Sequence, residues 1–131
     1  MYCSTKFAVE GISEALYGEF TPLGIHVTVV EPGYFRTDFL DSSSLRQTLT
    51  QISDYAQTVG KIRDVATGRN HQQPRDPVKL AQAILHLVNT DEPPLRLPLG
   101  TDTLQGIAEK NAYVEQETAK WRTLAESTNY E

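Results

Sequence analysis

Helix-period and strand-period segments alternate along the chain. Over residues 4–20, Val9, Ile12, Leu16 and Phe20 recur at three- and four-residue steps, which predicts a helix. A second stripe on that helix, Ala8, Gly11, Ala15 and Gly18, is all small. Glycine inside a helix costs roughly 1 kcal/mol against alanine, so this face is expected to pack tightly on another element. Pro22 and Gly24 end the helix. Residues 25–30 are rich in β-branched side chains and nearly continuous in apolar character. That pattern predicts a strand buried on both faces, as in a parallel sheet covered by helices. A Pro32-Gly33 turn follows it.

The middle of the chain is less regular. Ser42, Ser43 and Ser44 offer helix caps, and Leu45, Leu49, Ile52, Ala56 and Val59 predict an amphipathic helix ending near Val59. Residues 60–74 read as a polar, mobile loop. Asp76-Pro77 is a strong helix start, with Asp as N-cap and Pro in the first turn. Val78, Ala81, Ile84, Leu85 and Val88 are its expected buried face, and Pro93-Pro94 stops it. Residues 95–99 alternate like a strand in which Pro98 cannot donate to a ladder, so an edge strand or strand end is expected. Strand, helical crossover and second strand imply parallel pairing. A last helix over residues 104–127, capped by Asp102 or Thr103, carries Leu104, Ile107, Val114, Trp121 and Ala125 on one stripe. That stripe is expected to pack over the domain or at a subunit interface, with Trp121 as an anchor.

Composition narrows the function classes. The chain has 131 residues, 39% hydrophobic, enough for one modest domain. Its net charge of −5 and the lack of a basic stripe argue against a nucleic-acid partner. No apolar run approaches the roughly 18 residues of a membrane span, and no signal-peptide pattern opens the chain, so a cytoplasmic protein is expected. The single cysteine, Cys3, cannot form an internal disulfide. His26, His71 and His86 lack ligand spacing, so no metal site is expected.

Candidate chemistry sits at the mouth of the first helix. Tyr2 and Lys6 stand four apart and so share a helix face. A free tyrosine, with a pKa near ~10, exchanges protons poorly at neutral pH. A neighbouring cation favours the phenolate, so Tyr-x-x-x-Lys can serve as an acid–base unit for a carbonyl or an alcohol. A surface tyrosine packed along a lysine stem is the plainer alternative. The second candidate is Pro32-Gly33-Tyr34-Phe35-Arg36-Thr37, beyond the carboxyl end of the strand, where open α/β sheets bind ligands. Glycine there permits a close backbone approach, and Thr37 supplies a hydroxyl.

In order and spacing, residues 2–6, the helix to Phe20, residues 24–30 and residues 32–37 resemble the second half of a short-chain dehydrogenase/reductase. The Asp76-Pro77 helix and a strand over residues 95–100 are similar to that family too, so the resemblance covers essentially the whole chain. It implies an α/β fold: the C-terminal part of a Rossmann-like, doubly wound parallel sheet in three α/β/α layers, with the N-terminal strands missing. Residues 1–131 would be the catalytic and substrate-binding half, and residues 38–75 its variable substrate loop. By the resemblance, Tyr2 is the catalytic acid–base. Lys6 lowers its pKa and bonds the nicotinamide ribose. Pro32, Gly33 and the Phe35 main chain hold the nicotinamide, and Thr37 reaches its carboxamide or the phosphates. The implied cofactor is NAD or NADP, and the substrate is a small-molecule alcohol/carbonyl pair. Phe35, Phe39 and Leu40 suggest a hydrophobic one, although these side chains could equally pack the loop base. A full-length relative would be a homo-oligomer.

The family's glycine-rich dinucleotide fingerprint, its catalytic serine and its structural asparagine are not among these residues. The chain is therefore expected to be a fragment or truncated product with negligible activity alone. A non-enzymatic remnant is the alternative: a helical interaction module that pairs with a full-length relative through the Ala8/Gly11/Ala15/Gly18 face. An unrelated α/β binding protein is the third reading.

Overall fold

The computed structural model describes residues 2–46, 50 and 52–130. Helix α1 spans Tyr2–Phe20, and a 3-10 turn, Thr21–Leu23, carries Pro22 in its first positions. Gly24 closes that turn at φ +73, a left-handed conformation that glycine adopts without strain. Strand β1 is Val29–Pro32 and β2 is Arg96–Leu99; they pair in parallel, Val29 with Arg96 through Pro32 with Leu99. The parallel α/β arrangement is as expected, but β1 begins four residues later than the apolar run. Upstream of Val29 the partner strand gives way to Pro93-Pro94. There the chain is tied instead by Thr28 Oγ1 donating to the Pro94 carbonyl at 2.6 Å.

The expected helix over residues 45–59 forms differently, and Leu49 lies outside the described residues. Thr37 caps a 3-10 turn, Asp38–Leu40. Further on, a 3-10 turn Ser53–Tyr55 and a π-turn Ala56–Gly60 lead into α2, Lys61–Gly68. Helix thus runs into the segment expected to be a polar loop. Lys61, Arg63, Asp64 and Ala66 are all tolerated in helix, and polarity alone did not exclude one.

Helix α3, Pro77–Val88, starts as expected: the Asp76 carboxylate accepts from Val78 N at 2.8 Å. Its inward face is rotated from the expected one. Leu80, Ala83, Ile84 and Leu87 are half-buried, while Val78, Leu85 and Val88 are exposed. The helix is apolar nearly all round, so periodicity allowed either stripe.

Helix α4, Thr101–Glu126, has Gly100 at its N-cap position, so Asp102 and Thr103 lie within its first turn and not at the expected cap position. Trp121 is 62% exposed, so it anchors nothing within the described residues. The small stripe of α1 is open as well: a Cβ on Gly11 or Gly18 would meet nothing within 4 Å. Val29 is the only buried hydrophobic residue among those described, so β1 is not the doubly covered strand expected. What ties α1 to the sheet is Arg96 of β2, which bonds Glu10 and Glu14 on α1 and Glu31 on β1. The hydrogen bond to Glu31, then the charge of Glu10, hold its guanidinium further above its usual range. No helix among the described residues is long and apolar enough to cross a membrane.

Candidate active site

A cavity of about 420 Å³ opens at the carboxyl end of β1. All six residues singled out from sequence line it: Tyr2 and Lys6 from α1, and Pro32, Gly33, Phe35 and Thr37 from the loop after β1. The placement follows from the parallel topology. Both strands point their carboxyl ends the same way, and α1 brings its first turn to that end. Tyr34, Phe39, Leu40, Gln73 and Leu80 complete the wall.

The Lys6 ammonium lies 5.3 Å from the centre of the Tyr2 ring, so the i, i+4 spacing does put both groups on one face. The Phe39 ring leans on the other partner of that pair: its centre is 6.1 Å from that of Tyr2, tilted by 55°. One wall is therefore aromatic and aliphatic, and a phenol and an ammonium project from it. The Thr37 hydroxyl accepts from Phe39 N at 3.3 Å, which starts the following turn and leaves its proton free to donate.

Three contributors to the site carried no sequence signal that was read. Gln73 is 2% exposed, and its Nε2 donates to the Thr37 carbonyl at 3.2 Å while its main-chain carbonyl accepts from Arg36 Nε at 3.0 Å. Arg75 pairs through its main chain with the loop on either side of Phe35. Asp102, read as a helix cap, instead accepts from Tyr34 N at 3.0 Å and from Arg75 Nη2 at 3.1 Å. The Tyr34 bond, helped by the amides of its own helix turn and the Arg75 charge, holds its carboxyl below the usual aspartate range. Long sequence separation hid all three. The one local clue was the Gln-Pro-Arg-Asp-Pro run around the α3 cap.

Among the described residues no three His, Cys, Asp or Glu side chains converge as a metal site. The cavity's polar groups suit the nicotinamide end of a dinucleotide: an ammonium, a phenol, a hydroxyl and the main chain of the loop after β1. A glycine-rich turn that would cradle the phosphates is not in this sequence.

Comparison with known proteins agrees with this architecture. The short chain dehydrogenase family model matches residues 1–48. An oxidoreductase of Botryotinia fuckeliana is 35% identical over 124 residues, covering 95% of this chain and 44% of that protein. A 3-ketodihydrosphingosine reductase of Bacteroides thetaiotaomicron is 39% identical over 101 residues, covering 76% of this chain and 36% of that protein. The structure of a short-chain dehydrogenase from Streptomyces avermitilis superposes with a TM-score of 0.78 at 33% identity, covering 98% of this chain and 46% of that one. The chain thus spans less than half the length of these relatives.

Proposed function

Because the chain belongs to the short-chain dehydrogenase/reductase family of oxidoreductases, we propose that it supplies the proton-transferring and substrate-binding half of an NAD(P)-dependent site. The reaction in this reading interconverts an alcohol and a carbonyl. The observation that carries it is the convergence of Tyr2, Lys6, Pro32, Gly33, Phe35 and Thr37 on one cavity at the carboxyl end of β1.

In this proposal the cofactor, when bound, supplies or accepts the hydride. Tyr2 Oη donates a proton to the carbonyl oxygen in reduction and takes it from the hydroxyl in oxidation. Lys6 keeps a positive charge over the reacting oxygen and binds the ribose. The main chain at Gly33 and Phe35 and the Thr37 hydroxyl would hold the nicotinamide. Phe39 and Leu40 favour a hydrophobic substrate and exclude water from it. A reductase and retinol dehydrogenases whose names denote lipid-like substrates are among the relatives, which supports an apolar partner. The grip on the adenine dinucleotide phosphates would come from a complementary α/β half.

The test uses the protein as its source makes it, with NADH or NADPH and a panel of hydrophobic ketones and aldehydes. Carbonyl-dependent nucleotide oxidation is expected, falling by about 100-fold or more in Tyr2→Phe. Turnover that survives this substitution would overturn the reading.

One observation favours a second reading, a non-enzymatic module that pairs with a full-length relative: the small-residue face of α1 is open. Co-purification with an intact relative, broken by Gly11→Leu, would support it. An unchanged complex in that variant would count against it.

A further inference from the structure

Asp102 has no role in the reading above, yet its geometry is specific. It lies in the first turn of α4, past the N-cap position at Gly100, and its carboxylate reaches back to the loop after β1. Oδ2 accepts from Tyr34 N at 3.0 Å, and Oδ1 accepts from Arg75 Nη2 at 3.1 Å. The same Arg75 nitrogen donates to Thr101 Oγ1, which fixes the guanidinium against α4. Arg75 then holds the loop a second time through its main chain. Its N–H donates to the Tyr34 carbonyl at 3.3 Å, and its carbonyl accepts from Arg36 N at 2.8 Å. Phe35 is bracketed between those two bonds.

Two glycines make room for this carboxylate. A Cβ on Gly33 would lie 2.3 Å from Asp102 Oδ1, and one on Gly100 would lie 2.5 Å from it. Gly100, at φ +115, also needs glycine for its conformation, whereas Gly33 is not among the positive-φ positions. Conformation therefore does not demand a glycine at 33; the carboxylate does.

We infer that the Asp102–Arg75 pair is the positioning unit of the nicotinamide-facing loop, and that Gly33 lacks a side chain to admit the Asp102 carboxylate. The inference rests on the proposed oxidoreductase reading for what the loop faces. A hydrogen bond to a charged acceptor is stronger than a neutral one, and a loop at a strand end otherwise has little to fix it. A site held loosely by its supports loses function even with every contacting group present. Were Asp102 only a favourable charge at a helix N-terminus, its removal would weaken α4 and leave Gly33 indifferent to it.

The test compares Gly33→Ala, Asp102→Ala and the double variant in the protein as its source makes it, by hydrogen exchange at single amides and by NADH and NADPH fluorescence titration. In Asp102→Ala the Tyr34 amide is expected to exchange about tenfold faster relative to the Val29 amide, which donates to Leu95 and not to this cluster. Gly33→Ala is expected to do the same alone, but to add less than about twofold in the Asp102→Ala background, since the clash is then gone. Asp102→Asn, which keeps an acceptor, is expected to restore most of the protection. Nucleotide affinity is expected to fall about tenfold with Tyr34 protection. Independent effects of the two substitutions, or an unchanged Tyr34 amide, would overturn the inference. So would unchanged affinity in a variant whose Tyr34 amide has been released. Should Asp102→Ala fail to fold, Asp102→Ser leaves room for a Cβ at 33 and gives the same comparison. Wild-type protein, as its source makes it, that binds neither nucleotide overturns the oxidoreductase reading, and the exchange data, which need no nucleotide, still decide whether Asp102 holds the loop.

Discussion

The loop after β1 and the two long helices are held by different means. Residues 33–37 are tied by directed bonds from three distant segments: Leu99 to Gly33 N, Asp102 to Tyr34 N, and Gln73 and Arg75 to residues 34–37. Helices α1 and α4 present Phe7, Ile12, Leu104, Trp121 and Leu124 to solvent and touch the sheet through few side chains. The difference separates two requirements of a site. Its polar geometry closes within this stretch of chain. The burial that stabilises it in bulk is scarcely begun, because the described residues bury one hydrophobic side chain. A substitution in the loop should therefore act far out of proportion to its size, and one on the helix faces should hardly act.

The strongest challenge to that contrast is Gly100→Ala. It combines a left-handed backbone with a Cβ 2.5 Å from the Asp102 carboxylate. A loss of about 3 kcal/mol in urea unfolding is expected, and a loss under 1 kcal/mol would show the loop to be more pliable than drawn. Next is Gln73→Ala, which removes a buried side chain and leaves the Thr37 carbonyl without its donor. About 2 kcal/mol is expected from the same measurement, together with faster exchange in the loop. Acid should produce a smaller effect through Asp102. Its folded pKa lies below the unfolded value, so its contribution is complete above pH ~4 and is lost as pH falls through the lower, folded value. Asp102→Asn should remove that acid-limb dependence, on the order of 1 kcal/mol. The smallest effect is expected at Trp121→Ser on α4, within about 0.5 kcal/mol. A larger loss there would mean that α4 is buried against something, and would erase the contrast.

How far the sequence foretold this structure tracks the range of each interaction. Asp76-Pro77 encodes its cap within three residues, and α3 starts where those residues say. Tyr2 and Lys6 encode their shared face by spacing, and the structure places them over one cavity. The parallel pairing of β1 and β2 follows from the helical crossover between them. The start of β1 was misplaced because Ile25 and Val27 have strand-forming side chains but no partner strand opposite them. The face of α3 was rotated because Leu80 and Leu87 compete with Val78 and Leu85 in a helix apolar on most sides. Gln73, Arg75 and Asp102 were missed for a harder reason. Each acts through a contact to a segment 27 to 68 positions away, and nothing local marks a glutamine that will be buried or an aspartate that will decline to cap its helix.

The distances in sequence across the loop also set an order of assembly. Tyr34 meets Asp102 across 68 positions, and Arg96 meets Glu31 across 65. Helices α1, α3 and α4 can form from neighbours alone within microseconds, whereas joining points so far apart requires closing a long chain segment first. The cavity should therefore be the last part of the molecule to appear during folding and the first to dissolve on heating, ahead of the helices that outwardly look least supported.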